Sequence, residues 1–186
     1  MEIKILHSKT VETALEMLKD TSWDALTMEA LAAKMSLTPI QLYTLFPTRC
    51  DLLKGIVQLL DEKMISLYQE GKESLSLHEK LFDIIMCRFE ALESYKKALK
   101  NIFLTVWRDP ISFPSGIFSG FHSMRLILET VGVPVEGIKG GLNIKILSFF
   151  YLYTLKIWFE DETQDMAKTL AQVDQGLKNI IDFINV

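Results

Sequence analysis

Residues 27–53 constrain this chain more than any other stretch, because they read as two short helices with only a turn between them. Thr27 is a good N-cap, and Glu29 falls near the positive end of the helix that follows. Met28, Leu31, Ala32 and Met35 recur at three- and four-residue spacing and so share one face. Met35, Ser36 and Leu37 leave room for a turn and nothing else. Thr38 is a second N-cap, and Pro39 occupies the first helical position, where its missing N–H costs nothing. Leu42, Leu45 and Phe46 give the second helix an inner side, and Pro47 ends it. Two helices joined this tightly, the second with a free outer side, form a helix-turn-helix. Such a unit can lay its second helix in the DNA major groove, about 12 Å wide.

The segment Leu26-Thr27-Met28-Glu29-Ala30-Leu31-Ala32, then Thr38, then Leu42-Tyr43-Thr44-Leu45-Phe46-Pro47-Thr48-Arg49, then Leu52-Leu53, resembles the TetR family of transcriptional regulators. The resemblance covers roughly the first 50 residues. It implies an all-α, nine-helix TetR-like fold that works as a homodimeric repressor with a ligand-responsive C-terminal domain. The DNA-binding head would span 1–53, helix four would run over about 48–69, and the ligand-binding and dimerisation body would span 72–186. In that arrangement Thr38 and Arg49 would hold phosphate, helped by Thr27 and a helix N-terminus. Ile40, Gln41, Tyr43 and Thr44 would face the groove, Gln41 pairing with adenine and Ile40 touching a thymine methyl. The chain departs from the family pattern at Ser36, where Gly is usual, and at Pro39, Ile40 and Thr44, where basic or small residues are common.

Charge runs against easy DNA binding. The chain of 186 residues has a net charge of −4. Up to residue 54 the basic side chains are Lys4, Lys9, Lys19, Lys34, Arg49 and Lys54, and the acidic ones are Glu2, Glu12, Glu16, Asp20, Asp24, Glu29 and Asp51, a net of −1. Non-specific affinity for DNA comes mostly from phosphate neutralisation. A head with this balance must lean on specific contacts.

The rest of the chain reads as helix throughout, with no convincing strand. The spacing predicts helices over 8–19, 48–69, 76–95, 96–107, 115–131, 136–159 and 163–184, with 111–114 irregular. Trp23 is expected to anchor the core of the head. Gly140 and Gly141 fit either a close approach of another helix or a late helix start. Apolar residues make up 49% of the chain, and the two closing helices carry Leu142, Ile144, Leu147, Phe149, Phe150, Leu152 and Tyr153. One copy has too few partners to cover all of these, so a homodimer with an isologous four-helix interface is expected.

Trp158, Asp161, Thr163, Asp165, Thr169, Asp174 and Leu177 resemble the C-terminal signature of the lipid-binding accessory proteins of ubiquinone biosynthesis. That family is catalytically inert and has a TetR-like fold. The resemblance implies an alternative function: a lipid- or isoprenoid-binding accessory protein with a degenerate helix-turn-helix.

Catalysis finds no support in the residues. His7, His78 and His122 lack metal-ligand spacing, and no phosphate loop, dinucleotide fingerprint or nucleophile elbow occurs. The expectation is a protein that is not an enzyme, with no cofactor and no metal. Cys50 and Cys87 read as reduced thiols. The longest apolar run, 146–155, is about half of a membrane span, so the chain is expected to be cytoplasmic and without one. Phe82, Ile85, Met86, Phe89, Phe103, Val106, Trp107, Phe118, Phe121 and Met124 are candidates for an apolar pocket, with Arg88, Arg108 and His122 to orient a polar end. Plain core explains the same ten residues. The expected partners are double-stranded DNA, a second copy of the chain, and an apolar small molecule or lipid.

Overall fold

The computed structural model describes residues 2–68 and 74–184. Among them are nine α-helices and no strand. The chain divides into two compact units, one of residues 1–60 with 92–119, the other of 61–91 with 120–186. These units interleave along the chain.

The first unit holds α1 (Glu2–Met17), α2 (Met28–Lys34), α3 (Pro39–Leu45), α4 (Arg49–Leu67) as far as Leu60, α6 (Lys96–Thr105), a 3₁₀ turn (Val106–Arg108) and the opening of α7 (Ser112–Thr130). Val11, Ala14 and Leu15 of α1, and Leu18 just past its end, are buried together with Leu31, Leu42, Phe46, Leu52 and Ile56. Trp23 is fully buried, as expected, and its backbone N–H donates to Thr105 Oγ1 at 2.9 Å. α6 enters this unit through polar contacts with the end of α1. Asn101 Nδ2 donates to the Leu18 and Lys19 carbonyls, and Lys97 pairs with Asp20 at 2.7 Å.

The second unit holds the remainder of α4, α5 (Leu77–Glu93) as far as Ala91, α7 from Gly120, α8 (Gly137–Glu160) and α9 (Ala167–Ile184). Its core includes Leu81, Ile85, Phe89, Ile127, Leu147, Trp158, Val173 and Leu177. A polar knot runs through it. The Arg88 guanidinium donates to the Asp61 carboxylate, which also accepts from the Ser123 hydroxyl, and Arg88 Nε donates to the Tyr151 hydroxyl at 3.0 Å. Gly176 of α9 lies under the Phe150 ring of α8, and a Cβ there would meet Phe150 Cε2 at 2.3 Å.

Four boundaries differ from the sequence-based expectation. α1 starts six residues before residue 8, in a stretch where Ile3 and Ile5 are exposed and give no buried face to read. The helix expected over 96–107 ends at Thr105 and tightens into the 3₁₀ turn. α7 begins at Ser112, because the Asp109 carboxylate accepts from the Ile111 and Ser112 N–H groups and from the Ser112 hydroxyl. Pro114 then falls in the first turn, where no N–H is needed. α9 begins at Ala167 after a turn in which Met166 has φ +53°. Gly140 is a close approach, but to the preceding chain: a Cβ would sit 2.0 Å from the Val135 carbonyl carbon. Among the described residues no helix is long and apolar enough to cross a membrane.

Candidate nucleic-acid interface

The helix-turn-helix is built by its caps. Thr27 is extended, and its Oγ1 accepts from the Ala30 N–H at 3.1 Å, which opens α2. The turn closes with the Leu37 N–H donating to the Ala32 carbonyl at 2.9 Å. Ser36 adopts φ +57° there, the left-handed conformation that glycine takes without cost. Thr38 and Gln41 then form a full capping box. The Gln41 N–H donates to Thr38 Oγ1 at 3.3 Å, and the Thr38 N–H donates to Gln41 Oε1 at 2.8 Å.

α3 divides cleanly by burial. Leu42 is fully buried and Phe46 packs tilted against His7 of α1, with ring centroids 4.2 Å apart. The opposite side is exposed: Pro39, Ile40 at 80%, Gln41, Tyr43 at 41% and Thr44. This is the face that the sequence assigns to the groove. The helix carries no basic residue.

Its polar groups have partners within the chain. The Tyr43 hydroxyl donates to Glu29 Oε1 at 2.9 Å, and Thr44 Oγ1 donates to the Ile40 carbonyl at 2.9 Å. The Glu29 carboxyl is held below the usual range, first by its own backbone N–H and then by the Tyr43 hydroxyl. The same hydrogen bond pushes the Tyr43 phenol above its ordinary value. Arg49 is half-buried and turned inward. Its guanidinium donates to the Trp23 carbonyl, lies 5.1 Å from the Trp23 ring centre and is 3.6 Å from Asp109 Oδ2. A phosphate at Arg49 would therefore compete with contacts already made. Sequence reasoning placed the seven residues on adjacent helices, and the structure adds Glu29 to the group. The signal for Glu29 was its place in the first turn of α2, but its contact with Tyr43 crosses the turn between the two helices.

No protein-family model and no curated protein matches the chain. Solved structures do. A TetR transcriptional regulator from Nitrosomonas europaea ATCC 19718 superposes with a TM-score of 0.75 at 19% identity, over 94% of this chain and 97% of that one. The chain has the TetR fold. A TetR transcriptional regulator from Rhodococcus sp. RHA1 gives a TM-score of 0.67 at 12% identity, over 97% of this chain and 100% of that one. A TetR variant from Acinetobacter baumannii AYE, solved in complex with minocycline, gives 0.59 at 19% identity, over 94% and 96%.

Within this TetR-like fold the ten apolar pocket candidates scatter. Phe103, Val106, Trp107 and Phe118 belong to the first unit, where Trp107 and Phe118 are exposed, Phe118 at 73%. Ile85, Phe89 and Met124 are buried core of the second unit, with Phe89 stacked on Tyr151 at 5.4 Å. Phe82, Met86 and Phe121 are half-buried. Phe82 alone of the ten borders a groove of about 530 Å³, together with Leu75, His78, Asp83, Leu170 and Asp174. Of the polar candidates, Arg88 is committed to Asp61, Arg108 lies 5.5 Å from the Trp107 ring centre, and His122 is exposed.

The residues that resemble the ubiquinone-accessory signature have structural work of their own. Trp158 is fully buried. The Asp161 carboxylate, also buried, accepts from the backbone and hydroxyl of Thr163 at 3.1 and 2.5 Å and from those of Thr169 at 2.8 Å each. Burial alone would raise its pKa, and these four donors overturn that and hold it well below the usual carboxylate range. Asp161 is thus a buried joint between α8 and α9.

Proposed function

We propose that the chain is a DNA-binding transcriptional regulator of TetR type, acting as a homodimeric repressor that answers to a small apolar molecule. The observation that carries the reading is α3: a capped helix with Leu42 and Phe46 buried behind it and Pro39, Ile40, Gln41, Tyr43 and Thr44 exposed in front. With no cation on that helix, sequence preference would come from shape and from neutral contacts. The Gln41 side-chain amide N–H suits an acceptor on adenine, and Ile40 suits the thymine methyl.

Dimerisation is supported by the outer side of α8. Leu147 and Phe150 point into the core of the second unit, while Leu142, Phe149 and Tyr153 are exposed, Phe149 at 70%. A contiguous apolar stripe of this kind marks an interface in a water-soluble chain. Two copies would meet through it and present two α3 helices to half-sites about 34 Å apart, or a small multiple of that. The minocycline complex of one structural relative supports a small-molecule effector. It would act only through different affinities for two conformations.

The test is selection of bound duplexes from a random-sequence pool by the full-length protein, followed by a gel shift on the enriched sequence. A near-palindromic consensus is expected, with a shallow dependence on salt because few cations are available. Failure to enrich any sequence overturns the reading.

A further inference from the structure

The exposed side of α3 has a negative charge fixed beside it. We propose that Glu29, locked to the Tyr43 hydroxyl, sets an upper bound on how tightly the helix-turn-helix holds DNA, by placing a carboxylate at the edge of the face that meets phosphate. This rests on the DNA-binding reading above.

The geometry is specific. Glu29 belongs to the first turn of α2, and the hydrogen bond from Tyr43 crosses the turn of the motif to reach it at 2.9 Å. A phenol hydroxyl has a single proton to donate. While Glu29 holds that proton, Tyr43 cannot give it to a phosphate oxygen. The carboxylate also stays charged at neutral pH, since both of its hydrogen bonds favour the ionised form. Neighbouring polar groups offer little to offset it. The Thr44 hydroxyl goes to Ile40, the Gln41 oxygen to Thr38, and the Arg49 guanidinium to Trp23 and Asp109. Among the described residues no cation pairs with Glu29. A phosphate that approaches Tyr43 therefore meets a carboxylate without a counter-charge.

The expected size follows from Coulomb repulsion in a water-exposed setting. Removing the charge gains about two- to threefold in affinity per copy at low salt, and so about four- to ninefold for two copies. The gain narrows as salt rises, because the screening length falls to about 10 Å at 0.1 M.

The experiment uses the full chain as wild type, Glu29→Gln and Glu29→Lys. Glutamine keeps an oxygen to accept from Tyr43 and keeps the side-chain shape, so it removes only the charge. The probe is a labelled duplex of about 30 bp, three helical turns, carrying the sequence enriched by the wild type, with a mixed-sequence duplex of the same length beside it. Dissociation constants are read by fluorescence anisotropy across a salt series, and melting temperatures are read in parallel. Affinity should rise in the order wild type, Gln, Lys on both duplexes, with the steps shrinking at high salt and the Gln variant melting with the wild type. A Gln variant that binds no tighter than wild type at low salt overturns the role of Glu29 and leaves DNA binding standing. If none of the three proteins binds either duplex at any salt, the DNA-binding reading itself fails and the proposal falls with it.

Discussion

The Asp61–Arg88 pair is the place in the second unit where one substitution should cost most. Both side chains are nearly out of solvent, at 9% and 6% exposure. Asp61 takes hydrogen bonds from Arg88 and Ser123, and Arg88 also holds Tyr151, so α4, α5, α7 and α8 meet at one point. Burial by itself would push the guanidinium down, but the facing Tyr151 oxygen and the Asp61 carboxylate outweigh it and keep it charged. Asp61→Ala leaves that charge buried without a partner, a loss of about 3–5 kcal/mol. At about 2–4 °C per kcal/mol for a chain of this length, the melting temperature should fall by roughly 6–20 °C. Arg88→Met should also destabilise, because it leaves the Asp61 carboxylate with the Ser123 hydroxyl but without its charged donor. The double variant Asp61→Leu with Arg88→Met should return to within about 1 kcal/mol of wild type, since apolar replacement of a whole buried pair is often neutral. Urea unfolding followed by circular dichroism, at one fixed protein concentration, measures all four states. An Asp61→Ala variant within about 1 kcal/mol of wild type, or a double variant as weak as the two single losses together, would refute the reasoning.

Other substitutions test other joints. Asp161→Asn should lose about 2 kcal/mol or more at neutral pH, the scale of several hydrogen bonds to a buried charge. Because the Asp161 pKa is depressed by folding, its contribution is present above the ordinary carboxylate value of about 4 and is lost as pH falls through the folded value. Acid unfolding curves should therefore be flatter in the variant below about pH 4, and parallel acid limbs would count against the assignment. Phe149→Glu with Tyr153→Glu should convert a dimer to a monomer in light scattering, and an unchanged dimer mass would exclude the α8 stripe as the interface. Ser36→Gly should be neutral or stabilising by less than about 1 kcal/mol, since relief at φ +57° is set against a freer unfolded chain, and a clear loss in thermal melts would show that Ser36 makes contacts of its own.

What the sequence made legible was local. Thr27 and Thr38 cap the helices they precede, because caps depend on spacings of three residues. Leu42 and Phe46 were readable as an inner face for the same reason. Arg49 was not. Its orientation is decided by Trp23 and by Asp109, the latter arriving from the start of α7. Tyr43 looked free because Glu29, its partner, lies on another helix. The apolar run of α8 hid its two sides: Leu147 and Phe150 differ from Phe149 and Tyr153 only in what packs against them. A helix apolar all round carries no periodic signal with which to separate a core face from an outer one.

The Phe150 ring over Gly176 behaves as a key in a notch. Ridges and grooves alone let two helices slide by a turn with modest loss, but a ring seated on bare backbone has one place to go. Sliding α9 by a turn in either direction would bring Gln172 or Ile180 under the ring, and both carry side chains that the notch cannot admit. This sets unequal tolerances along one short stretch of chain. Extra residues in the turn at 162–165 would disturb the Thr163 hydrogen bonds to Asp161 but leave the spacing within α9, and so the position of the notch along that helix, unchanged. A single residue inserted between Thr169 and Gly176 would rotate the notch about 100° around the helix and unseat the ring.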